Sequence, residues 1–199
     1  MARPRTFDEE RALDAAMHTF WEKGYEATST QDLCDATGLG RSSIYNTFRS
    51  KHDLFQRALT RYLETMTAAQ LAVLDATERP AADRVRAVLD QVIESETECR
   101  ATAGRALGCL GVNTIVELAA RDPAAAALVE RDTQRRLAAF RAVLESGRRD
   151  GSITSERDPD ALARFLNATI AGLRVSSQGG ADRAALEAVA EVAMGALTS

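Results

Sequence analysis

The chain has 199 residues and a mass of 21.5 kDa, which corresponds to one domain or two small ones. Its hydrophobic content of 45% and charged content of 27% exclude a disordered or collagen-like chain. Charged residues interrupt every apolar stretch before the ~18 residues that a membrane helix needs, and no apolar leader follows the basic N-terminus, so we expect a cytoplasmic protein. The net charge of −4 argues on its face against a nucleic-acid binder.

The composition favours helices over strands. Alanine makes up 37 of the 199 residues, aromatic residues only 5%, and the chain has only 4 prolines. Apolar residues recur at helical spacing between glycines, prolines and capping signals, and no convincing strand is found. The pattern predicts about nine helices, near residues 6–23, 30–37, 41–48, 51–74, 82–98, 105–120, 123–148, 159–178 and 182–197.

Capping signals mark several of the predicted helix starts. Asp-Pro pairs at residues 122–123 and 158–159 combine a good N-cap with proline at the first helical position. Three further pairs have the spacing of a capping box, in which two side chains satisfy backbone N–H groups reciprocally. They are Thr6–Glu9, Ser29–Asp32 and Ser50–Asp53.

Residues 31–48 have the spacing of a helix-turn-helix unit. Leu33 and Ala36 supply an apolar anchor for the short first helix, and a glycine suits the tight turn. The second helix places Ile44 and Phe48 on one face and small polar or basic residues on the other, as a helix that enters the major groove requires. A solvated surface helix in an unrelated bundle has the same pattern, so the segment alone leaves both interpretations open.

The negative net charge hides an uneven distribution. Residues 1–51 carry seven basic and eight acidic side chains, whereas residues 41–61 carry five basic side chains and one acidic side chain, a local charge of +4. Basic charge is therefore concentrated around the second helix of the unit. If this segment meets DNA, binding should weaken as salt increases, because phosphate contacts release counterions.

The stretch FWEKGYEATSTQDLCDATGLGRSSIYNTFRSKHDLF, residues 20–55, closely resembles the N-terminal domain of the TetR family of transcriptional regulators. The resemblance covers residues 7–62 and continues more weakly beyond them. It implies an all-α homodimer with a helix-turn-helix DNA-binding domain at residues 1–52 and an effector-binding and dimerisation domain at residues 53–199. The implied function is that of a repressor that binds a palindromic double-stranded operator and is released by a small-molecule effector, with no cofactor or membrane partner.

The resemblance also assigns DNA contacts. Four residues of the second helix fall where members of the family reach bases and nearby phosphates, and Arg41 among them can bind guanine with two hydrogen bonds. Lys51 falls at the usual phosphate-binding lysine, close to a helix N-terminus, which itself favours phosphate. Thr47 occupies a position often held by histidine, so its reach is shorter. The expected contacts are Thr28, Arg41, Ser42, Ser43, Tyr45, Asn46, Thr47 and Lys51.

The family encloses its effector within helices 4 to 8 and dimerises through helices 8 and 9. Each candidate for either role has an alternative interpretation as a residue of the chain's own hydrophobic core. The expected pocket residues are Tyr62, Met66, Val92, Cys99, Cys109, Asn113, Glu117, Phe140 and Phe165. The expected dimer contacts are Leu162, Phe165, Leu166, Thr169, Ile170, Leu173, Leu186, Val189, Ala190, Ala193 and Leu197.

The three cysteines imply no disulfide framework, because their number is odd. The triplet Gly-Cys-Leu at residues 108–110 resembles a segment of the electrophile-sensing N-ethylmaleimide repressor branch, in which this cysteine is the reactive thiol. Cys109 is therefore a candidate redox switch, with Arg105 and the nearby helix start as sources of positive charge. An inert buried cysteine is the alternative.

No enzyme signature appears in the sequence. His18 and His52 are the only histidines, both lie in the DNA-binding part, and metal-ligand spacings, a P-loop and a dinucleotide motif are missing. The sequence therefore predicts neither an enzyme nor a metal site. A protein-interaction module that has lost DNA binding remains as an alternative from another class.

Overall fold

The computed structural model describes residues 5–198, with the side chains of residues 9–102 and 104–198. Within this range the chain forms nine α-helices and no strand, which confirms the all-α prediction. None of these helices is long and apolar enough to cross a bilayer. In chain order they are α1 (Arg5–Lys23), α2 (Thr30–Thr37), α3 (Arg41–Phe48), α4 (Lys51–Leu74), α5 (Ala81–Ala103), α6 (Leu110–Leu118), α7 (Pro123–Asp150), α8 (Pro159–Gln178) and α9 (Arg183–Gly195).

The connection between α5 and α6 differs from the prediction. α5 continues to Ala103 rather than to about residue 98. α6 begins only at Leu110, whereas the sequence predicts a start between Gly104 and Gly108. Both glycines have positive φ values, 71° and 66°, which the backbone of a right-handed helix does not adopt. Residues 104–109 are therefore a connecting segment rather than the first turn of α6.

Local hydrogen bonds cap several helices at the starts that the sequence predicts. The Ser29 hydroxyl accepts from the Asp32 N–H, and the Asp32 side chain accepts from the Ser29 N–H, which completes a capping box. The Ser50 hydroxyl accepts from the Asp53 N–H at 3.0 Å. The side chain of Thr6, of the third predicted box, lies outside the described residues. The carboxylates that cap later helices are those of Asp122, Asp158 and Asp182.

The helices pack into two compact units. Of the described residues, the first unit contains 5–65 and 110–129, and the second contains 66–109 and 130–198. α6 and the start of α7 thus pack with the helix-turn-helix segment, although they come much later in the chain. The boundary predicted between residues 52 and 53 divides the DNA-binding part from the effector-binding part, so it need not coincide with a boundary between packing units. It stays a prediction.

Buried side chains hold the helix-turn-helix in the first unit. The rings of Phe20 and Phe55, each at most 1% exposed, meet edge to face with centroids 5.2 Å apart. Leu33 of α2 and Ile44 of α3 are both 1% exposed. Ala36, which was expected to help Leu33 to anchor α2, is exposed instead. The inward faces of both helices are therefore as predicted except at this alanine.

The second unit has a core of aliphatic side chains from α5, α8 and α9, joined by residues of α4 and α7. Gly147 of α7 shows how closely these helices pack, because an added Cβ would lie 2.5 Å from Ile153 Cδ1 and 3.0 Å from Ala81 Cβ. The core consists of Leu74, Ala81, Val85, Val88, Leu89, Val92, Ile93, Phe140, Val143, Leu144, Ile153, Leu162, Ala163, Leu166, Ile170, Leu173, Leu186, Ala190, Ala193 and Leu197.

A buried ion pair crosses this core between α5 and α8. Arg174 Nη1 donates to Glu96 Oε1 at 3.0 Å, and the two side chains are only 5% and 3% exposed. Burial raises the pKa of Glu96, while the charge of Arg174 opposes that shift. Removal of Arg174 would leave the buried Glu96 carboxylate with only neutral hydrogen-bond donors, those of Ser177 and Gly108.

We expect Arg174→Met to lower the free energy of unfolding by about 3–5 kcal/mol, because it strands the Glu96 carboxylate in the core. The double variant Arg174→Met with Glu96→Leu should recover most of that loss. Arg86→Met is a matched control, since Arg86 also joins α5 to another helix but pairs with the exposed Glu191, and it should cost less than about 1 kcal/mol. Urea unfolding followed by circular dichroism checks this, and equal losses for Arg174→Met and Arg86→Met would contradict it.

Candidate nucleic-acid interface

A tight turn presents α3 at the surface of the first unit. α2 ends at Gly38, whose φ of 68° is left-handed and whose N–H donates to the carbonyl of Cys34. The Thr37 hydroxyl donates to the Leu33 carbonyl and accepts from the N–H of Leu39 at 3.2 Å. These bonds satisfy the backbone through the turn and fix the direction in which α3 leaves it.

The two faces of α3 have opposite character. Ile44 and Phe48 are 1% and 0% exposed, and they hold the helix against the core. The opposite face carries side chains that offer a guanidinium, two hydroxyls and an amide, which together can donate to and accept from base edges and phosphates. These exposed residues are Arg41, Ser42, Ser43 and Asn46.

Tyr45 and Thr47 lie half-buried beside that exposed face. The Tyr45 hydroxyl is 2.9 Å from the hydroxyl of Thr30, the first residue of α2, so this hydrogen bond ties α3 to the start of the preceding helix. The Arg41 guanidinium lies 5.9 Å from the centroid of the Tyr45 ring. Tyr45 therefore helps to orient both the helix and its first basic side chain.

Thr28 does not lie in this exposed set. Its side chain is 1% exposed, and its hydroxyl donates to the Gly24 carbonyl at 2.5 Å. Its only hydroxyl proton is therefore used inside the protein. The expectation that Thr28 donates to a phosphate does not fit this arrangement, because the side chain closes the turn after α1 instead.

Basic side chains surround the start of α4. Lys51 is half-buried, with Nζ 4.4 Å from the centroid of the Tyr25 ring and 3.5 Å from the Glu26 carbonyl oxygen. Arg49 is exposed between α3 and α4 and has a φ of 53°, which is uncommon for a residue with a side chain. The sequence indicates Arg49 only through its contribution to the local charge of +4 and its place between α3 and Lys51.

Intramolecular ion pairs occupy two of the five basic residues of the segment 41–61. Arg57 Nη1 is 3.1 Å from Glu9 Oε1, and Arg57 Nε is 3.2 Å from Asp53 Oδ2. Arg61 binds the Asp14 carboxylate with two hydrogen bonds, of 2.5 and 3.1 Å. These arginines join α4 to α1 and contribute less to the local field than their charges suggest.

Two family models match most of the described range. Residues 12–58 match the model for bacterial regulatory proteins of the tetR family, and residues 81–193 match the model for the C-terminal domain of tetracycline-repressor-like proteins. The second match alone covers more than half of the chain. The chain belongs to the TetR family. It is a DNA-binding transcriptional regulator, and membership of a family of regulators confirms the expectation that it is not an enzyme.

Individual relatives agree with this assignment. The chain is 32% identical to the uncharacterised regulator YezE of Bacillus subtilis, over 99% of this chain and 100% of that protein. It is 33% identical to the repressor ComR of Escherichia coli, over 90% of this chain and 83% of that one. A structure of the TetR family regulator CifR, a cysteine-substituted variant bound to a 26-bp operator, is 30% identical with a TM-score of 0.84, and the match covers 98% of this chain and 100% of that one.

The residues expected in the effector pocket of this TetR regulator fall in both compact units. Tyr62, Asn113 and Glu117 belong to the first unit, where the Glu117 carboxylate accepts hydrogen bonds from two backbone N–H groups. The Cys99 thiol donates to the Arg105 carbonyl at 3.7 Å. The remaining candidates belong to the second unit, and they are Met66, Val92, Cys109, Phe140 and Phe165. Their common role in effector binding stays a prediction.

Most residues expected at the dimer interface lie in the core of a single chain. The apolar stripes of α8 and α9 face α5 and each other rather than outward, because the chain's own helices bury them. Phe165 and Val189 are exceptions, with 40% and 45% exposure, and Thr169 is half-buried. The residues that are buried within one chain are Leu162, Leu166, Ile170, Leu173, Leu186, Ala190, Ala193 and Leu197.

Proposed function

We propose that the protein is a cytoplasmic, homodimeric repressor that binds a palindromic operator and releases it when a small molecule binds the second unit. The observation that carries this proposal is the exposed polar and basic face of α3, presented by a capped turn and backed by Ile44 and Phe48. The operator complex of CifR, at 30% identity over nearly the whole chain, supports the same use of this surface.

Specificity would come from the exposed side chains of α3. Arg41 is the strongest candidate for reading a guanine, because its guanidinium matches the two acceptors of that base. Ser42, Ser43 and Asn46 would contact bases or nearby phosphates. Tyr45, Thr47 and Lys51 would bind the DNA backbone, and the exposed position of Arg49 between α3 and α4 supports its inclusion in that group. Thr28 is left out, since its hydroxyl is already used.

The dimer would form through the outward faces of α8 and α9. These faces carry exposed apolar side chains, Phe165 and Val175 on α8 and Val189 and Val192 on α9, with 40%, 50%, 45% and 74% exposure. Small residues between them, such as Ala168 and Gly172, permit close approach of a second copy. A two-fold dimer presents two copies of α3, which is why the operator would be palindromic.

Effector release would be a shift between two conformations. The effector would stabilise the form in which α4 moves and the two recognition helices lose the spacing of the operator. The pocket would draw on the candidates of the second unit, among them Met66, Cys99 and Phe140. The effector would shift the equilibrium between the two conformations only to the extent that it binds one of them more tightly than the other.

A thiol switch at Cys109 is the second candidate mechanism. The half-buried Cys109 is followed at once by α6, so a modified thiol sits at the start of a helix that packs in the DNA-binding unit. The CifR structure that resembles this chain is of a variant with three cysteines replaced. Electrophile modification at Cys109 would then take the place of a reversibly bound effector.

Substitutions of single basic residues distinguish those that bind DNA from those that pair with acidic residues inside the protein. Lys51→Gln should lower the slope of log affinity against log salt by about one, because it removes a phosphate contact. Arg41→Gln should instead cost about 1–3 kcal/mol of binding and relax the preference for guanine at one position, because Arg41 would read a base. Arg61→Gln should keep the wild-type slope, since Arg61 is engaged by Asp14. The assay is a salt titration on a duplex that the wild-type protein selects from random DNA. Arg149→Gln, exposed at the end of α7, is the control.

An unchanged slope for Lys51→Gln together with wild-type affinity and specificity for Arg41→Gln would overturn the assignment of the DNA-binding face. Failure of the wild-type protein to enrich any duplex would instead favour a protein-interaction module. A selected sequence without two-fold symmetry would contradict the dimeric mode of binding.

The second prediction concerns the dimer. Phe165→Arg and Val189→Arg should each yield monomers, because a buried guanidinium without a partner is costly in an apolar interface. Operator affinity should fall at least about tenfold when two half-sites can no longer be bound by one dimer. Val116→Arg, at an equally apolar but 83% exposed position of α6, is the control and should stay dimeric. Light scattering measures the mass, and dimeric Phe165→Arg and Val189→Arg would disprove this interface.

The third prediction tests the thiol switch with N-ethylmaleimide. The reagent should release operator from the wild-type protein and from Cys34→Ser, whereas Cys109→Ser should hold its DNA, because only modification at Cys109 acts on the start of α6. A gel-shift assay on the selected duplex gives the bound fraction. If Cys109→Ser is released as readily as the wild type, the switch is not at this residue.

A further inference from the structure

A carboxylate on α6 binds the turn that follows α1. The backbone N–H groups of Tyr25 and Glu26 donate to the two oxygens of Glu117, at 3.0 and 2.7 Å. Gly24 permits this approach, because its φ is 80° and an added Cβ would lie 3.0 Å from Glu117 Oε2. All four residues belong to the first compact unit.

Both N–H groups lie outside the helices, so they have no partner in a helical ladder. A carboxylate that accepts two neighbouring N–H groups forms charge-assisted bonds, which are roughly twice as strong as neutral ones. The Glu117 side chain therefore holds two neighbouring backbone N–H groups, those of residues 25 and 26, which fixes this segment more firmly than a single hydrogen bond would.

The same two residues carry the contacts of Lys51. Its ammonium lies 4.4 Å from the centroid of the Tyr25 ring and 3.5 Å from the carbonyl oxygen of Glu26. Glu117 thus holds these two residues by their N–H groups, while Lys51 binds the ring of one and the carbonyl of the other. The position of α6 is in this way linked to the position of the Lys51 ammonium.

A second contact ties the segment after α6 to the same place. Asp122 Oδ2 lies 3.5 Å from His52 Nδ1, and the same aspartate caps α7 by accepting from the N–H of Ala125. The His52 ring meets the Tyr25 ring nearly at right angles, with centroids 6.1 Å apart. Burial, followed by the charges of Glu26 and Asp122, raises the pKa of Tyr25, so its hydroxyl stays protonated at neutral pH.

We propose that Glu117 is a positioning residue for DNA binding, which acts by holding Tyr25 and Glu26 where they place the Lys51 ammonium for a DNA phosphate. The inference rests on the proposed function, in which Lys51 binds phosphate. It makes α6 an element on which operator affinity depends, although no residue of α6 touches DNA in this mechanism.

The charge of Glu117 makes the proposal easy to distinguish from long-range electrostatics. Removal of a negative charge near a DNA-binding surface should strengthen binding to a polyanion. The positioning role predicts weaker binding, because the amide of Glu117→Gln offers one oxygen and turns an NH₂ group toward the second backbone N–H. Glu117→Asp keeps the charge but is one methylene shorter, so it should also weaken binding.

The test is a double-mutant cycle of Glu117→Gln and Lys51→Gln on the duplex that the wild-type protein selects. Each single variant should bind about tenfold more weakly and lose about one unit of salt slope. The double variant should bind no more weakly than Lys51→Gln alone, because Glu117 acts through Lys51. Glu98→Gln, an exposed carboxylate of α5, is the control for loss of charge and should bind at least as tightly as wild type.

Additive losses in the cycle would overturn the proposal, since they would mean that Glu117 acts independently of Lys51. Wild-type affinity of both Glu117→Gln and Glu117→Asp would overturn it as well. Amide hydrogen exchange at Tyr25 and Glu26 gives a readout without DNA, and it should quicken in both variants if the contact exists. A wild-type protein without operator affinity would overturn the proposed function too, whereas additive losses overturn this inference alone.

Discussion

The α3 surface that we propose reads DNA depends on the burial of two side chains. α3 has only eight residues, and a helix of that length is not stable in water by itself. Ile44 and Phe48 hold it to the core of the first unit, where they are almost completely buried. Because they lie four residues apart on one face, they also determine which side chains point outward. The same eight residues therefore supply both the buried side chains that hold α3 and the exposed side chains proposed for DNA recognition, on opposite faces of one helix.

An acidic chain can bind a polyanion when its basic residues are distributed by role. Arg57 and Arg61 are paired with acidic residues, and these pairs join α4 to α1. Arg41 and Arg49 remain exposed, and Lys51 is held near them by a ring and a carbonyl rather than by a carboxylate. The net charge averages over both groups, so it is a poor guide to where phosphate can bind. The ion pairs in the structure show which basic residues are already neutralised by acidic partners, and composition alone cannot show this.

Local signals in the sequence predicted the capped helix starts and the inward residues of α3, because a capping box or an i, i+4 pair is complete within a few positions. They did not predict the start of α6. The sequence does not predict which surface packs against an apolar stripe. Leu166 and Phe165 are neighbours on α8, yet the first is buried within the chain and the second is 40% exposed. Periodicity shows that α8 has an apolar side, but it does not tell whether the chain itself or a second copy covers each residue.

Glu117 shows the same limit most clearly. A polar residue on an apolar helix predicts a pocket or an interface, and nothing near it in sequence points to N–H groups 92 and 91 positions away. Its partners are backbone atoms, which carry no residue-type signal. α6 is nine residues long, about 14 Å, and it begins immediately after Cys109. A rigid helix of this length passes a displacement of its first turn to its last. In the role proposed for Glu117, a displacement of the start of α6 would reach Tyr25 and Glu26 through the same two hydrogen bonds.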